Sequence, residues 1–289
     1  MTPLDQIGIG IPTRDRWDEL ARTLQALADY GLGGNETVVI DDGSREPAPT
    51  ALRERFPRVR FERTTVPRYV TGARNDLARM LTTPLFLQVD NDSFPVRGDL
   101  GAAATWLQER QDALALAFII TERDDFEEAL GALPPDPAPC HYFIGCGALI
   151  KRELFLELGG YEEELEYIAE EIAVTLHAQS RGFQVYQYPA VTVRHYRSPL
   201  ARDRLVRAAL TIRNELLIAG LYYPFFFLLL RWPVYLVKAL VFGWFPRREI
   251  VKGAIAAVRR YPAIWPKRQP APLDAFLRWK RLPRPVTVR

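Results

Sequence analysis

Cysteine is scarce in this chain, with two among 289 residues, Cys140 and Cys146. Two thiols cannot form a disulfide framework, and five intervening residues match no zinc-ligand spacing, so free thiols in a reducing compartment are expected. Residues 1–11 already read as a strand and lack the basic, apolar and small-residue order of a leader, so secretion is not expected. Long apolar runs are also few. The uncharged stretch 216–230 holds fifteen residues. As a helix it would reach roughly 22 Å, short of a hydrocarbon core of about 30 Å. Pro224 and Pro233 shorten it further, which argues against a membrane span. No internal repeat is present.

What is present suffices for a folded core. Hydrophobic residues make up 48% and charged residues 25%, which excludes a disordered or fibrous chain and fits one large domain or two small ones. The net charge of +3 conceals an asymmetry. Residues 1–200 carry 20 Lys and Arg against 31 Asp and Glu, whereas residues 201–289 carry 18 against 4. These are the expected domains: a catalytic unit over 1–200 and a basic, aromatic helical extension over 201–289. A basic segment usually meets phosphate, in nucleic acid or on anionic lipid. The uncharged, Phe- and Tyr-rich run between these charges favours lipid, so an in-plane amphipathic hairpin over 216–245 is expected and nucleic acid is not. The alternative buries these helices against the catalytic unit or against a second subunit in a homodimer.

The first half alternates short apolar runs with helical spacing, the pattern of a mostly parallel sheet covered by helices. Ile7-Gly8-Ile9-Gly10-Ile11 is a period-2 strand ending at Pro12, and Trp17, Leu20, Leu24 and Leu27 then recur at helical spacing. Further strands are expected over 37–40, 58–64, 85–89 and 114–120, and helices over 72–81, 99–111 and 168–181. The Pro-rich run 134–139 reads as a loop. Polar turns follow three of the strands. In open α/β sheets such turns converge on one cleft at the carboxyl ends of the strands.

Those turns carry the candidate chemistry. Asp90 and Asp92, two apart beyond a buried strand, can together hold Mg²⁺ or Mn²⁺, although Asp90-Asn91-Asp92 also suits a plain capping turn. Asp42, in Asp41-Asp42-Gly43-Ser44, can accept hydrogen bonds from a ribose or a uracil-like base, or simply form an Asp-Gly turn. Pro12, Thr13 and Arg14 supply a bend, a hydroxyl and a cation. Arg74, expected in the first turn of its helix, is a candidate phosphate clamp. In the 168–181 helix, Ile168, Ile172, Leu176 and Gln179 share a face, with Glu171 at its edge and Glu170 nearly opposite. Glu171 is therefore the candidate base. His195 lies on the same side of its strand as Val191 and Val193. Cys146 reads as a small buried filler.

The ordered set Pro12-Thr13-Arg14, Asp41-Asp42-Gly43-Ser44, Ala73-Arg74-Asn75 and Asp90-Asn91-Asp92 resembles the nucleotide-binding half of the family 2 glycosyltransferases of GT-A fold. Gly145-Cys146-Gly147-Ala148 resembles the family's acceptor-facing loop. Gly159-Gly160-Tyr161-Glu162-Glu163, Glu170-Glu171 and the strand ending at His195 extend the likeness over about residues 5–200. The resemblance implies an α/β fold with a mostly parallel central sheet and flanking helices. It also implies transfer of a hexosyl or deoxyhexosyl group from a nucleotide-diphosphate sugar to an acceptor hydroxyl, with inversion. By the same resemblance Asp90, Asp92 and His195 hold Mg²⁺ or Mn²⁺, while Pro12, Thr13, Arg14, Asp42, Arg74 and Asp90 contact the donor. Glu171 is the base, although the family usually has Asp there. Together with the basic tail, this implies a saccharide or lipid-linked acceptor in cell-envelope polysaccharide or glycolipid synthesis. The expected location is cytoplasmic, at the inner face of the cytoplasmic membrane. The rivals are a sugar nucleotidyltransferase, which would need a Gly-rich basic loop where Pro12-Thr13-Arg14-Asp15 stands, and a silent nucleotide-sugar-binding module.

Overall fold

The computed structural model describes residues 2–131, 134–196, 204–241, 243 and 246–288. The expected boundary at residue 200 lies outside the described residues. The chain opens with β1 (Ile7–Thr13), α1 (Trp17–Leu27), β2 (Thr37–Asp41), α2 (Thr50–Arg55), β3 (Val59–Arg63), α3 (Tyr69–Met80) and β4 (Leu85–Gln88). It continues through β5 (Ser93–Arg97), α4 (Leu100–Glu109), β6 (Ala113–Thr121), α5 (Glu127–Leu130), β7 (Ala138–Cys140), β8 (Ala148–Lys151) and α6 (Arg152–Glu157). The last elements are α7 (Glu170–Ser180), β9 (Gln184–His195), α8 (Arg204–Tyr222), α9 (Phe225–Val241), α10 (Arg247–Ile264), α11 (Leu273–Arg281) and β10 (Thr287–Val288).

One mixed sheet runs β3-β2-β1-β4-β8-β6-β9-β5. The strands β3, β2, β1 and β4 are parallel, as the alternating pattern implied, whereas β8 enters antiparallel to both β4 and β6. The end of the Pro-rich run is not loop: Ala138–Cys140 pairs with β9, an edge position where Pro139 is tolerated.

In β1 the isoleucines Ile7, Ile9 and Ile11 enter a core shared with Leu20 and Leu24 of α1 and with Leu100 and Leu107 of α4. The intervening glycines serve the other face, where a Cβ on Gly10 would lie 2.5 Å from the Phe86 ring and 3.1 Å from Leu77 of α3. The Ile-Gly alternation therefore lets α3 lie close to the sheet. On this second face Ala73, Leu77, Phe155, Val174 and Ala178 form another core.

A third core lies beyond α7, where Ala173 and Leu176 meet Ile212, Leu216, Leu217, Ile250, Phe276 and Trp279. The expected hairpin over 216–245 is thus divided. Leu216 to Leu221 is buried in α8, the chain breaks at Pro224, and only from Phe225 does the run reach the surface. Pro224 ends the helix because it cannot continue the backbone hydrogen-bond ladder. Phe242, Trp244 and Phe245, at the end of that hairpin, lie outside the described residues.

The extension is tied to the sheet at both α11 and β10. Trp279 stacks on His141 with ring centroids 3.9 Å apart and donates its Nε1–H to the His141 carbonyl at 2.9 Å. The strand β10 pairs in parallel with the end of β6. Removing the Trp279 ring from this buried contact should cost about 3–5 kcal/mol. For Trp279→Ala, thermal unfolding followed by far- and near-ultraviolet circular dichroism should give one transition at lower temperature; two separate transitions would show the extension unfolding independently.

Candidate functional site

The carboxyl ends of β1, β2 and β4 meet at Thr13. Its carbonyl accepts the Asp42 N–H at 2.9 Å, and its hydroxyl accepts the Asn91 amide at 2.8 Å. The acidic turns after β2 and β4 therefore share one cleft edge. Asp42 is buried, and its Oδ1 accepts from the Thr64 hydroxyl at 3.0 Å and from the Arg68 N–H at 2.6 Å, holding the 64–68 loop beside the strand ends. Pro12 is half-buried, Thr13 buried and Arg14 exposed. Asp15 has a positive φ of 53° and turns the chain so that Arg16, which the motif reading passed over, lies 3.7 Å from Asp92.

The two carboxylates that follow β4 enter different environments. The Asp92 Oδ1 lies 3.3 Å from His195 Nε2, while Asp90 Oδ1 accepts from Arg74 at 2.8 Å. The donor atoms of Asp90, Cys146 and His195 lie within 4.8 Å of one another. Carboxylate oxygen, thiol sulfur and imidazole nitrogen so close together fit a divalent cation. Of the expected trio of Asp90, Asp92 and His195, Asp90 and His195 lie together with Cys146, and Asp92 lies against His195 and Arg16. Burial pushes the Cys146 thiol well up, with Asp90 adding to the effect, so the thiol is a poor nucleophile.

Arg74 does not occupy the expected first turn. The helix α3 begins at Tyr69, a full turn earlier, so the backbone N–H of Arg74 lies inside the helix and its side chain is 4% exposed. Both guanidinium ends are taken, NH2 by Asp90 and NH1 by Glu170, each at 2.8 Å, with Glu171 3.7 Å from NH1. The guanidinium of the expected phosphate clamp is thus buried among carboxylates. Gly145 makes room for it, because a Cβ there would fall 2.4 Å from NH1.

Glu170 likewise differs from expectation. Instead of facing away, it is buried against Arg74, because α3, α6 and the sheet cover the side of α7 that carries Glu170, Val174 and Ala178. Ile168 lies outside the helix. It and Ala169 take positive φ values of 76° and 67°, a strained turn that aims Glu170 and Glu171 inward. Asn214 of α8 holds this turn, its amide donating to the carbonyls of Leu165, Tyr167 and Ile168 at 2.9, 2.7 and 2.7 Å. The Gly-Gly-Tyr turn is fixed by Asn75, which accepts from the Tyr161 N–H at 2.8 Å and donates to its carbonyl at 2.9 Å. Gly160, at φ 69°, admits the Asn75 side chain where a Cβ would lie 2.5 Å from Oδ1.

Glu171 is the more open of the pair, with 17% of its side chain exposed against 3% for Glu170. Its Oε1 accepts the Gly145 N–H at 2.9 Å. Burial raises the Glu171 pKa against the pull of Arg74. Burial and then the neighbouring Glu171 push Glu170 up to about 8 from its ordinary 4.5. The folded chain thus keeps a proton that the unfolded chain releases from about pH 4.5 upward. Glu170 therefore makes stability fall as pH rises from about 4.5 to 8. Urea unfolding across that range should show this slope, and Glu170→Gln should remove most of it; an unchanged slope would place the titration elsewhere.

Residues 9–159 match the family described as Glycosyl transferase family 2. No curated protein matches the sequence. Among solved structures, GalNAc-T7 with UDP, GalNAc and Mn²⁺ superposes with a TM-score of 0.62 at 15% identity, over 76% of this chain and 48% of that one. This chain therefore spans about half of the GalNAc-T7 chain. The mannosyltransferase PcManGT from Pyrobaculum calidifontis, in complex with GDP-Man and Mn²⁺, gives 0.60 at 20% identity over 95% and 78% of the two chains. TarS 1–349 of S. aureus in complex with UDP-GlcNAc gives 0.55 at 16% identity over 74% and 65%. With the strand-end cleft, the mixed sheet and the matched half of the sequence in agreement, the chain belongs to glycosyl transferase family 2 and has the GT-A fold.

Proposed function

We propose that the protein transfers a hexosyl or deoxyhexosyl group, with inversion, from a nucleotide-diphosphate sugar to an acceptor hydroxyl. The observation that carries this reading is the single guanidinium of Arg74 joining Asp90, on the strand-end side of the cleft, to Glu171 on the other. A carboxylate able to take a proton thus stands beside the residues suited to a diphosphate and its cation. GalNAc-T7, PcManGT and TarS were solved with UDP, GDP-Man or UDP-GlcNAc, and the first two with Mn²⁺, which supports the same ligands here.

Departure of a nucleoside diphosphate builds negative charge on its leaving oxygens, and a bound Mg²⁺ or Mn²⁺ would offset that charge. Asp90, Cys146 and His195 are the residues placed to hold it, with Asp92 orienting His195. Thr13 and Asp42, joined at the strand ends, form the nucleoside side of the cleft, with Pro12 and Arg14 at its rim. Glu171 accepts the acceptor hydroxyl's proton as that oxygen attacks the anomeric carbon from the face opposite the diphosphate. The half-exposed position of Glu171, anchored by the Gly145 N–H, keeps it both reachable and oriented.

In Glu171→Gln, metal-dependent turnover of UDP- and GDP-sugars, by transfer or by slow hydrolysis, should be lost. Thermal stabilisation by nucleoside diphosphate with Mn²⁺ should remain, about 2.7 kcal/mol at 100 times the dissociation constant. Turnover equal to wild type would remove Glu171 from the mechanism.

The acceptor side of the proposal is a saccharide or lipid-linked molecule of the cell envelope, met at the cytoplasmic face of a membrane by the extension. No helix among the described residues is long and apolar enough to cross a membrane. Exposed Phe225, Phe226, Leu229, Leu230, Val234 and Val237 nevertheless line one face of α9, with Val251, Ile255 and Val258 exposed on α10. Exposed Arg247, Arg248 and Arg259 accompany them. An apolar helix face beside exposed arginines suits the headgroup boundary of an anionic bilayer. Sedimentation with anionic liposomes should pull down the protein, more weakly as salt rises. The double variant Leu230→Asp, Val237→Asp should stay in the supernatant while remaining folded, and cosedimentation equal to wild type would overturn the membrane assignment.

A further inference from the structure

The expected metal-binding motif contains only oxygen and nitrogen donors, yet the loop after β7 brings a sulfur to the same point. We infer that Cys146 is a ligand of the divalent cation, making this a mixed oxygen, nitrogen and sulfur site that prefers softer ions such as Cd²⁺, Zn²⁺ and Co²⁺ to Mg²⁺. The inference rests on the cation-dependent reading above and names which of this chain's residues meet the cation.

Three observations support it. The donor atoms of Asp90, Cys146 and His195 converge within 4.8 Å, and Cys146 is only 2% exposed, so its sulfur contributes to the site and not to the surface. The two acidic-turn and loop backbones are coupled through one hydroxyl: Ser93 Oγ accepts the Asp90 N–H at 2.8 Å and donates to the Cys146 carbonyl at 2.8 Å. That places Asp90 and Cys146 in a fixed relation before any cation arrives, and β5–β9 pairing sets Ser93 opposite His195.

The loop itself is also held on both sides of Cys146. Gly145 donates its N–H to Glu171 and accepts from the Gln88 amide at 2.9 Å, while a Cβ on Gly147 would lie 2.6 Å from Ile120. Cys146 can therefore neither rotate out with its loop nor be pushed aside without breaking these contacts. A hard ion such as Mg²⁺ favours oxygen ligands, whereas thiolate with imidazole favours softer ions, and Mn²⁺ falls between them. On binding, the thiol proton passes to solvent and sulfur donates its electron pair to the cation.

The test uses the full chain, freed of metal and titrated with Cd²⁺ alone. Wild type should develop a sulfur-to-cadmium charge-transfer absorption and a ¹¹³Cd resonance in the sulfur-ligated range. Both should be absent from Cys146→Ser and present in Cys140→Ser, whose thiol lies away from the site on β7. Cys146→Ser should lose about tenfold or more in Cd²⁺ affinity, the scale seen when a metal site loses a supporting group, with a much smaller loss for Mg²⁺. The wild-type ¹¹³Cd signal needs no variant, so poor folding of Cys146→Ser leaves the question decidable. Manganese binding with neither sulfur signature in wild type would overturn the ligand assignment while leaving the cation-dependent reading standing. Failure of every divalent ion to bind, even with UDP or GDP present, would overturn both.

Discussion

The site depends on one buried cation placed among three carboxylates. Arg74 is 4% exposed and faces Asp90, Glu170 and Glu171, which come from two distant parts of the chain. Burial alone would lower the Arg74 pKa, but Asp90 and Glu170 hold it well above its ordinary value, so the charge is permanent. A buried ion network is costly unless its members are mutually satisfied, which makes the arrangement specific to one geometry. The acidic turn after β4 and the start of α7 are consequently positioned by the same group.

That geometry is enforced from outside the family-matched residues 9–159. The turn carrying positive φ at Glu166, Ile168 and Ala169 is an unfavourable backbone, and its carbonyls are gathered by Asn214, which is fully buried. Arg213 binds Glu166 at 2.8 Å and the Leu165 carbonyl at 2.7 Å, Arg260 pairs with Glu164 and Glu166, and Lys267 pairs with Glu162. Part of the opposition between an acidic first part and a basic tail is therefore spent inside the molecule. The tail's charge cannot be assigned wholesale to phosphate or lipid, and the membrane reading rests on the apolar face of α9 together with Arg247, Arg248 and Arg259.

The sequence disclosed what local periodicity and turn chemistry control. Alternating isoleucine and glycine marked β1, β-branched Thr37–Asp41 marked β2, and acidic turns marked where both the second and fourth strands end. It hid what depends on distant packing. β5 is short, contains Pro95, and exists through pairing with β9, while the two residues of β10 are a strand only beside β6. Helical geometry assigned Glu170 outward because the packing of α3 and α6 against the Val174 and Ala178 side of α7 is invisible to local periodicity. Arg14 matched the motif, yet the left-handed Asp15 gives Arg16 the contact with Asp92. Cys146 is buried as expected, but residue type and local spacing carry no trace of its nearness to Asp90 and His195.

These misses share a cause that bears on how the enzyme works. Those at the site, Arg16, Glu170 and Cys146, each concern a side chain whose neighbour is distant in sequence. A strained turn can present Glu170 and Glu171 only if other contacts offset its backbone cost. Those contacts come from α8 and α10, so the extension is part of the scaffold that holds Glu170 and Glu171. The same helices that expose Val251, Ile255 and Val258 on one side send Arg260 to Glu164 and Glu166 on the other.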